Sequence, residues 1–462
     1  MRDFPAMPFH PSLQEWDADL LAGDPLAFPG YDESRRALVV TGEAVQTGRT
    51  EHYAYIEGRF DVLGGTMGAA VGERVVRAYD RARDLGLPVV VATRTGGARL
   101  QEGMVALVQM ARTASAATRH ARAGLLSLGV YGSPTTGGVY ASYGSLVDVR
   151  AAVDHAVIGF AGPRVAEAAL DEALPPGSHT AEAAYDEALV DELLAADEAA
   201  QWVDVALGRV DRPLPTRPLP AWTDPGVEGA WGEVLRARAP GRPTGIDRAA
   251  RLCSSWLELR GADPVVRAGL ATVAGQRCVL VATDRYHGAG RPAPAGFRLA
   301  QRAVGLAGRL GLPVVTLVDT PGADPSPAAE SDGQAQEIAR TLQAFAACPT
   351  PVVSVCVGEG GSGGALALSY ADRLIMQEHA VFSVIAPEGA AAILERDPDR
   401  APDVADRLGL TSGDMLALGV VDEVIADGQK PLDAAVAAAL DAARPGEREV
   451  RFDRVTHRWL TH

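Results

Sequence analysis

The sequence predicts an α/β fold in which one domain occurs twice. Two observations carry this. The first is an internal repeat: Gly86-Leu87-Pro88-Val89-Val90 recurs as Gly311-Leu312-Pro313-Val314-Val315, 225 residues on. At the same spacing Thr95-Gly96-Gly97-Ala98 meets Thr320-Pro321-Gly322-Ala323. Thr136-Gly137-Gly138-Val139 then aligns with Ser362-Gly363-Gly364-Ala365 at 226, and His155-Ala156-Val157 with His379-Ala380-Val381 at 224. Val190-Asp191-Glu192 answers Val421-Asp422-Glu423 after a slightly longer insertion. The second observation is that short apolar runs alternate with helical periodicity in each copy, the pattern of parallel β-α-β units.

The elements follow in order. Val71, Val75, Tyr79 and Ala82 recur at helical spacing until Gly86-Leu87-Pro88 stops the helix. Pro88 to Ala92 reads as a fully buried strand, Gln101 to Arg122 as a helix and Leu125 to Val130 as a second strand. A short helical stretch, Val139 to Leu146, follows Gly137-Gly138. The second copy gives helix Phe297 to Leu310, strand Pro313 to Val318, helix Gln334 to Ala347, strand Pro351 to Val357 and a helix from Gly363. The expected organisation is an N-terminal extension (1–32), a first domain (33–205), a Pro/Arg/Trp-rich linker (206–250), a second domain (251–445) and a C-terminal tail (446–462). Trp222 and Trp231 are the expected anchors of the linker.

Composition narrows the chemistry. A formal net charge of −16 argues against a general nucleic-acid or anionic-membrane surface. Lys430 is the only lysine and lies in a polar run, so neither a Walker-type loop nor a Schiff-base lysine has a residue to use. Cys253, Cys278, Cys348 and Cys356 form no C-x-x-C pair, which removes a zinc ribbon and a thioredoxin-type motif and suggests buried thiols. The N-terminus lacks an apolar signal core, and no window approaches a membrane span, so a soluble, cytoplasmic protein is expected.

In each copy two strand ends deliver glycine-containing turns into helices: Gly96-Gly97-Ala98 and Gly137-Gly138, then Gly322-Ala323 and Gly363-Gly364. Glycine lets backbone approach a ligand, and first-turn N–H groups point outward, so two converging turns would form an oxyanion hole. A single glycine pair is an ordinary tight turn; recurrence at two matched turns in both copies is what makes these candidates. His155 and His379 occupy equivalent positions beside apolar residues and read as structural histidines. Two holes without an evident general base suit carboxyl transfer from N-carboxybiotin to an acyl-CoA. One hole would stabilise the ureido oxygen as CO₂ leaves, and the other the thioester enolate that captures it.

At these residues the sequence resembles a known family. Gly96-Gly97-Ala98-Arg99-Leu100-Gln101-Glu102-Gly103, Pro134-Thr135-Thr136-Gly137-Gly138-Val139 and Ile158-Gly159-Phe160-Ala161-Gly162-Pro163-Arg164 resemble the β subunit of bacterial acetyl-CoA carboxylase carboxyltransferase. Asp319-Thr320-Pro321-Gly322-Ala323, Gly358 to Ala367 and Ser383 to Gly389 resemble the α subunit. The resemblance covers roughly residues 35–195 and 265–425 and implies a natural β–α fusion of two crotonase-like ββα-spiral domains (the ClpP/crotonase superfamily).

That resemblance assigns acyl-CoA to the first half, with Gly137 and Gly138 at the thioester, and biotin to the second, with Gly363 and Gly364 at the ureido oxygen. Gly97, Ala98, Gly322 and Ala323 complete the catalytic candidates; Gly96, Thr136, Gly361 and Ser362 are the candidates for ligand binding. Arg99 is a candidate for a CoA phosphate, with local pairing as its alternative. Sites between N- and C-domains of different protomers imply a homo-oligomer. The chain departs from the family in lacking the four-cysteine ribbon, so no zinc is expected, and in having Ser133 before Pro134-Thr135-Thr136 and a proline-rich Asp324-Pro325-Ser326-Pro327. It has no Met-Lys-Met motif, so biotin is expected on a separate carrier protein charged by a separate biotin carboxylase. Two alternatives stand beside acyl-CoA carboxylation: decarboxylation of malonyl- or methylmalonyl-thioesters on the same fold, and a non-catalytic scaffold.

Overall fold

The computed structural model describes residues 14–460. The chain divides into two compact units between Leu207 and Gly208, each built on an eight-stranded sheet. In the first unit the strands are β1 (Gln14–Trp16), β2 (Val45–Arg49), β3 (Ala54–Gly58), β4 (Val89–Thr95), β5 (Ser127–Thr136), β6 (Val149–Val153), β7 (Ile158–Gly159) and β8 (Glu192–Leu194). In the second they are β9 (Cys253–Leu259), β10 (Val266–Val273), β11 (Gln276–Thr283), β12 (Val314–Thr320), β13 (Val352–Gly361), β14 (Arg373–Gln377), β15 (Val381–Ser383) and β16 (Glu423–Ile425).

The two sheets have one topology. Strand order β1-β2-β3-β4-β5-β6-β8, with β7 on β5, is matched by β9-β10-β11-β12-β13-β14-β16, with β15 on β13. The first two pairings of each are antiparallel and the rest parallel. Central strands buried on both faces require continuous apolar runs, and every residue of β12 is buried. Val89 and Val91 of β4 face Val71, Val75 and Tyr79 of the helix Ala69–Leu85, which ends at Gly86 in left-handed backbone (φ 66°). The second unit repeats this with the helix Pro294–Leu310, ending at Gly311 (φ 69°).

The register corrects one part of the repeat. Thr95 pairs with Thr135 and Thr320 with Gly360, while Thr136 pairs with Gly159 and Gly361 with Ser383. The offset therefore stays at 225 through the second turn. Gly137 corresponds to Ser362 and Gly138 to Gly363, one residue from the motif alignment. The run Gly360-Gly361-Ser362-Gly363-Gly364 lets a glycine pattern slide by one.

Two boundaries also change. Within the expected linker, the helices Gly229–Arg238 and Gly245–Leu252 belong to the second unit, where Ile246 and Ala249 join Leu280, Leu317 and Val355 in the core. The proline-rich stretch is anchored by arginine rather than by Trp222, which is 43% exposed. Arg217 is bonded to Asp284 (2.8 and 2.9 Å) and to Asp247 (2.8 Å). Trp231 does pack at the edge of two apolar clusters. The expected tail is the docked helix Glu447–His457, whose Arg448 and Arg451 are buried. Of the expected N-terminal extension, residues 1–13 lie outside the described residues; Gln14–Trp16 is the edge strand of the first sheet.

Candidate active site

In each unit the parallel strands end in two turns that touch. β4 runs into Gly96-Gly97-Ala98, and β5 into a helical segment opened by Gly137. A Cβ on Gly97 would lie 3.1 Å from Gly137 Cα and 3.4 Å from Gly138 N, and one on Gly137 would lie 2.6 Å from Gly97 Cα. Both have left-handed backbone, at φ 105° and 66°. Glycine is required at these two positions on both counts. In the second unit Gly322 (φ 127°) stands where Gly97 does, and a Cβ on Gly361 would collide with the Pro321 backbone. Here the pairing of residues is compensated. Thr136 fits beside Gly96, its Oγ1 donating to the Thr95 carbonyl at 3.2 Å, whereas Pro321 demands a glycine at 361.

The amides at these turns are what can act. Gly97 N–H donates to Thr95 Oγ1 (2.9 Å) and Gly322 N–H to Thr320 Oγ1 (3.1 Å), which orients the next peptide. Ala98 and Ala323 then make no backbone hydrogen bond through N–H to any described residue. Gly138 and Gly363 lie in the first turn of their helical segments, where N–H groups lack intrahelical acceptors. Gly363 and Ser362 are exposed, and a Cβ on Gly363 would meet nothing within 4 Å. Gly364 is buried instead, and a Cβ there would lie 2.7 Å from Ala323 N, so this glycine admits the close approach of the two turns.

The surroundings differ between units, and motif reading missed both. Behind the second pair of turns lies an ion network. Asp319 Oδ1 accepts the Glu359 N–H (2.9 Å) and Arg285 Nη1 (3.0 Å), and Arg285 Nη2 donates to Glu359 Oε2 (2.7 Å). Arg238, from a helix in the expected linker, donates to both Glu359 oxygens (2.6 and 3.0 Å) and to Glu388 (2.5 Å). Burial pushes the Asp319 carboxyl up, and Arg285 offsets this only in part. Burial acts on Glu359 in the same sense, but Arg238 and Arg285 hold it below the usual range. The separation of these residues in sequence is what hid them.

Arg99 is not available to a CoA phosphate. It is 1% exposed and bonded to Glu43 (2.5 Å) and Glu102 (3.3 Å). Gly96 is exposed and Ala98 half-buried, whereas the Arg99 side chain is drawn inward by buried carboxylates. His155 and His379 each sit with Nδ1 2.8 Å from a glutamate, Glu182 and Glu233 respectively, His155 at the surface and His379 half-buried. Gly137 N–H donates to the Phe160 carbonyl (2.8 Å), beside a cavity lined by Tyr140, Ile158, Phe160, His179 and Leu189. Among the described residues no helix is long and apolar enough to cross a membrane.

Known proteins decide the family. Residues 26–184 match the family described as "Carboxyl transferase domain", and residues 229–444 match "Acetyl co-enzyme A carboxylase carboxyltransferase-like". The acetyl-coenzyme A carboxylase carboxyl transferase subunits beta/alpha of Salinispora arenicola are 43% identical over 88% of this chain and 76% of that protein. The chain belongs to this carboxyltransferase β/α family. It is a biotin-dependent acyl-CoA carboxyltransferase, with both halves on one polypeptide. A probable biotin-dependent acyl-coenzyme A carboxylase beta3 subunit of Mycobacterium tuberculosis is 36% identical over 93% of this carboxyltransferase and 89% of its own length. In fold it is similar to the transcarboxylase 12S structure with methylmalonyl-coenzyme A bound, at a TM-score of 0.78 and 21% identity, covering 94% of this chain and 87% of that one. These likenesses place the tandem crotonase-like architecture in the carboxyltransferase fold.

Proposed function

We propose that this carboxyltransferase moves the carboxyl group of carboxybiotin to acetyl-CoA, giving malonyl-CoA. The observation that carries the site assignment is the pair of touching turns in each unit, where the Ala98 and Ala323 N–H groups make no backbone hydrogen bond to any described residue. Ala98 and Gly138 N–H would hold the thioester oxygen as it gains enolate charge. Ala323 and Gly363 N–H would hold the biotin ureido oxygen. The open, exposed backbone at Ser362 and Gly363 fits an incoming ureido ring. Carboxybiotin, when bound, supplies both the carboxyl group and, after losing it, the base for the substrate α-proton. The chain orients the two reactants and stabilises charge on two oxygens; removing one such donor costs about 10²–10³ in rate. Acetyl-CoA is favoured because the Salinispora relative is named for it. Biotin would arrive on a separate carrier protein charged by a biotin carboxylase, in the cytoplasm, with the carboxyltransferase as a homo-oligomer.

The test incubates the purified protein with malonyl-CoA and free biotin, without ATP, and follows carboxybiotin and acetyl-CoA. Transfer to biotin, with acetyl- preferred over propionyl- and longer thioesters in the forward direction, is expected. Release of CO₂ without biotin would replace this reading with a decarboxylase. No turnover of any thioester, with the carrier and carboxylase supplied, would point to a scaffold.

A further inference from the structure

Beneath the Gly96–Ala98 turn lies a fully buried charge cluster that the proposed chemistry does not use. Glu43, Arg99 and Glu102 are at most 1% exposed and Tyr31 is 2% exposed. Arg99 Nη2 donates to Glu43 Oε1 (2.5 Å) and the Thr66 carbonyl (3.0 Å), and Nη1 to Glu102 Oε1 (3.3 Å) and the Tyr31 hydroxyl (3.2 Å). Tyr31 O–H in turn donates to Glu102 Oε1 at 2.7 Å. The remaining carboxylate oxygens are also committed. Glu102 Oε2 accepts Ala69 N–H (2.6 Å) and Glu43 Oε2 accepts Ala22 N–H (3.2 Å).

The cluster acts on one peptide stretch. Met67 N–H donates to the Gly97 carbonyl (2.8 Å) and Arg99 N–H to the Met67 carbonyl (2.9 Å). The backbone on either side of the Ala98 N–H is thus pinned at Met67. The Arg99 side chain is bonded to Thr66 beside it, to Glu102 three residues on, and to two further segments through Tyr31 and Glu43. Gly68 and Ala69 pack on the same carboxylate, since a Cβ on Gly68 would lie 2.6 Å from Glu102 Cδ. Stability alone is a weak reason for such a cluster, because a hydrocarbon replacement of a buried ion pair is often neutral or better. The equivalent position in the second unit is Asp324, whose Oδ1 accepts Ser326 N–H two residues on, and the ion network behind that turn is built instead on Arg285, Asp319 and Glu359.

We propose that Arg99, Glu43, Glu102 and Tyr31 are positioning residues for carboxyl transfer, a buried clamp that aims the Ala98 N–H at the thioester oxygen. This rests on the reading that Ala98 donates to that oxygen. A fixed donor works because no reorganisation is left for the moment of reaction, and a shift of about 1 Å costs about 10²-fold in rate. Burial works against charge on Arg99, but Glu43 and Tyr31 hold its pKa above the ordinary value, so the fork keeps all its donors at any working pH.

Tyr31→Phe and Glu43→Gln test this in the full chain, by transfer from malonyl-CoA to free biotin, acetyl-CoA calorimetry and thermal melting. Each variant is expected to melt above the assay temperature and to bind acetyl-CoA within about threefold of wild type. Its kcat should fall about 10- to 100-fold, with KM for malonyl-CoA and biotin nearly unchanged. A kcat per folded molecule within about twofold of wild type in both variants would overturn the clamp. So would kcat and acetyl-CoA affinity falling in equal proportion, which is what a merely structural role gives. Wild-type rates in a folded Gly138→Val protein would instead overturn the acyl-side hole, and the clamp with it.

Discussion

Gly137 and Ser362 hold the same place in the two units, each opening a helical segment after the central strand with left-handed backbone, at φ 66° and 55°. A residue with a side chain costs about 1–2 kcal/mol in this conformation, against about 0.5–1 kcal/mol of extra chain entropy for glycine. Opposite signs follow at equivalent positions. Ser362→Gly should leave stability unchanged or raise it by up to about 1 kcal/mol. Gly137→Ala should lower it by about 2–3 kcal/mol, because its new Cβ would also lie 2.6 Å from Gly97 Cα. Urea denaturation of the two variants measures both; destabilisation by Ser362→Gly would contradict the assignment of strain there.

Strands β4, β5, β12 and β13 and the helices between them were legible because fully buried strands must be continuous apolar runs, and Gly86 and Gly311 stop their helices with a left-handed cap. The candidate turns were legible for a related reason: Gly97 and Gly137 are required by touching backbone. What the sequence hid is tertiary. Arg99 looks like a phosphate ligand until Glu43, 56 residues away, is seen beside it. Arg238 meets Glu359 from 121 residues away. The helix Gly245–Leu252 was obscured by the Pro/Arg composition before it, although Thr244 and Asp247 form a capping box that marks its start.

Gly363 offers the cleanest probe of the biotin-side turn. It is exposed, its φ is not left-handed, and an added methyl meets no atom within 4 Å. Gly363→Ala should therefore keep the melting temperature, or raise it slightly through helix propensity. It should lower kcat/KM for biotin by about 10-fold or more, by placing a methyl where the ureido oxygen must approach its amide. Acetyl-CoA affinity, measured by calorimetry, should not move. Gly364→Val is a poorer variant, since its Cβ meets Ala323 N at 2.7 Å and would displace the turn itself.

Stability should fall in alkali, and Tyr31 gives one identifiable part of that fall. Burial, followed by the hydrogen bond to Glu102, pushes its hydroxyl up to about 12. The folded pKa lies above the unfolded one, so below about pH 10 both states keep the proton and the contribution is intact. Between about pH 10 and 12 the unfolded state releases the proton first, and stability declines by about 2–3 kcal/mol. The drop in urea midpoint from about pH 9 to about pH 11 should be smaller in Tyr31→Phe than in wild type. Equal slopes would mean that Tyr31 titrates normally and that its bond to Glu102 is weak.

Arg448 tests how the C-terminal helix is held. Its Nη1 donates to Asp372 Oδ2 (3.1 Å) and its Nη2 to the Cys348 carbonyl (2.5 Å), and both partners of the ion pair are at most 2% exposed. Asp372 also accepts the Val352 N–H at the start of β13 (2.9 Å), so its carboxylate organises the strand that leads to Gly361 and Gly363. Arg448→Met removes the cation and leaves that carboxylate buried, at a cost of about 3–5 kcal/mol. Asp372→Asn keeps an acceptor for Val352 without the charge. The double variant should accordingly be more stable than the sum of the two losses predicts by about 1–3 kcal/mol. Thermal melts of the four proteins give this coupling directly. Strict additivity would mean that the Arg448–Asp372 pair contributes nothing to docking and that the helix is held by its other contacts, Arg451 to Asp422 (2.6 Å) among them.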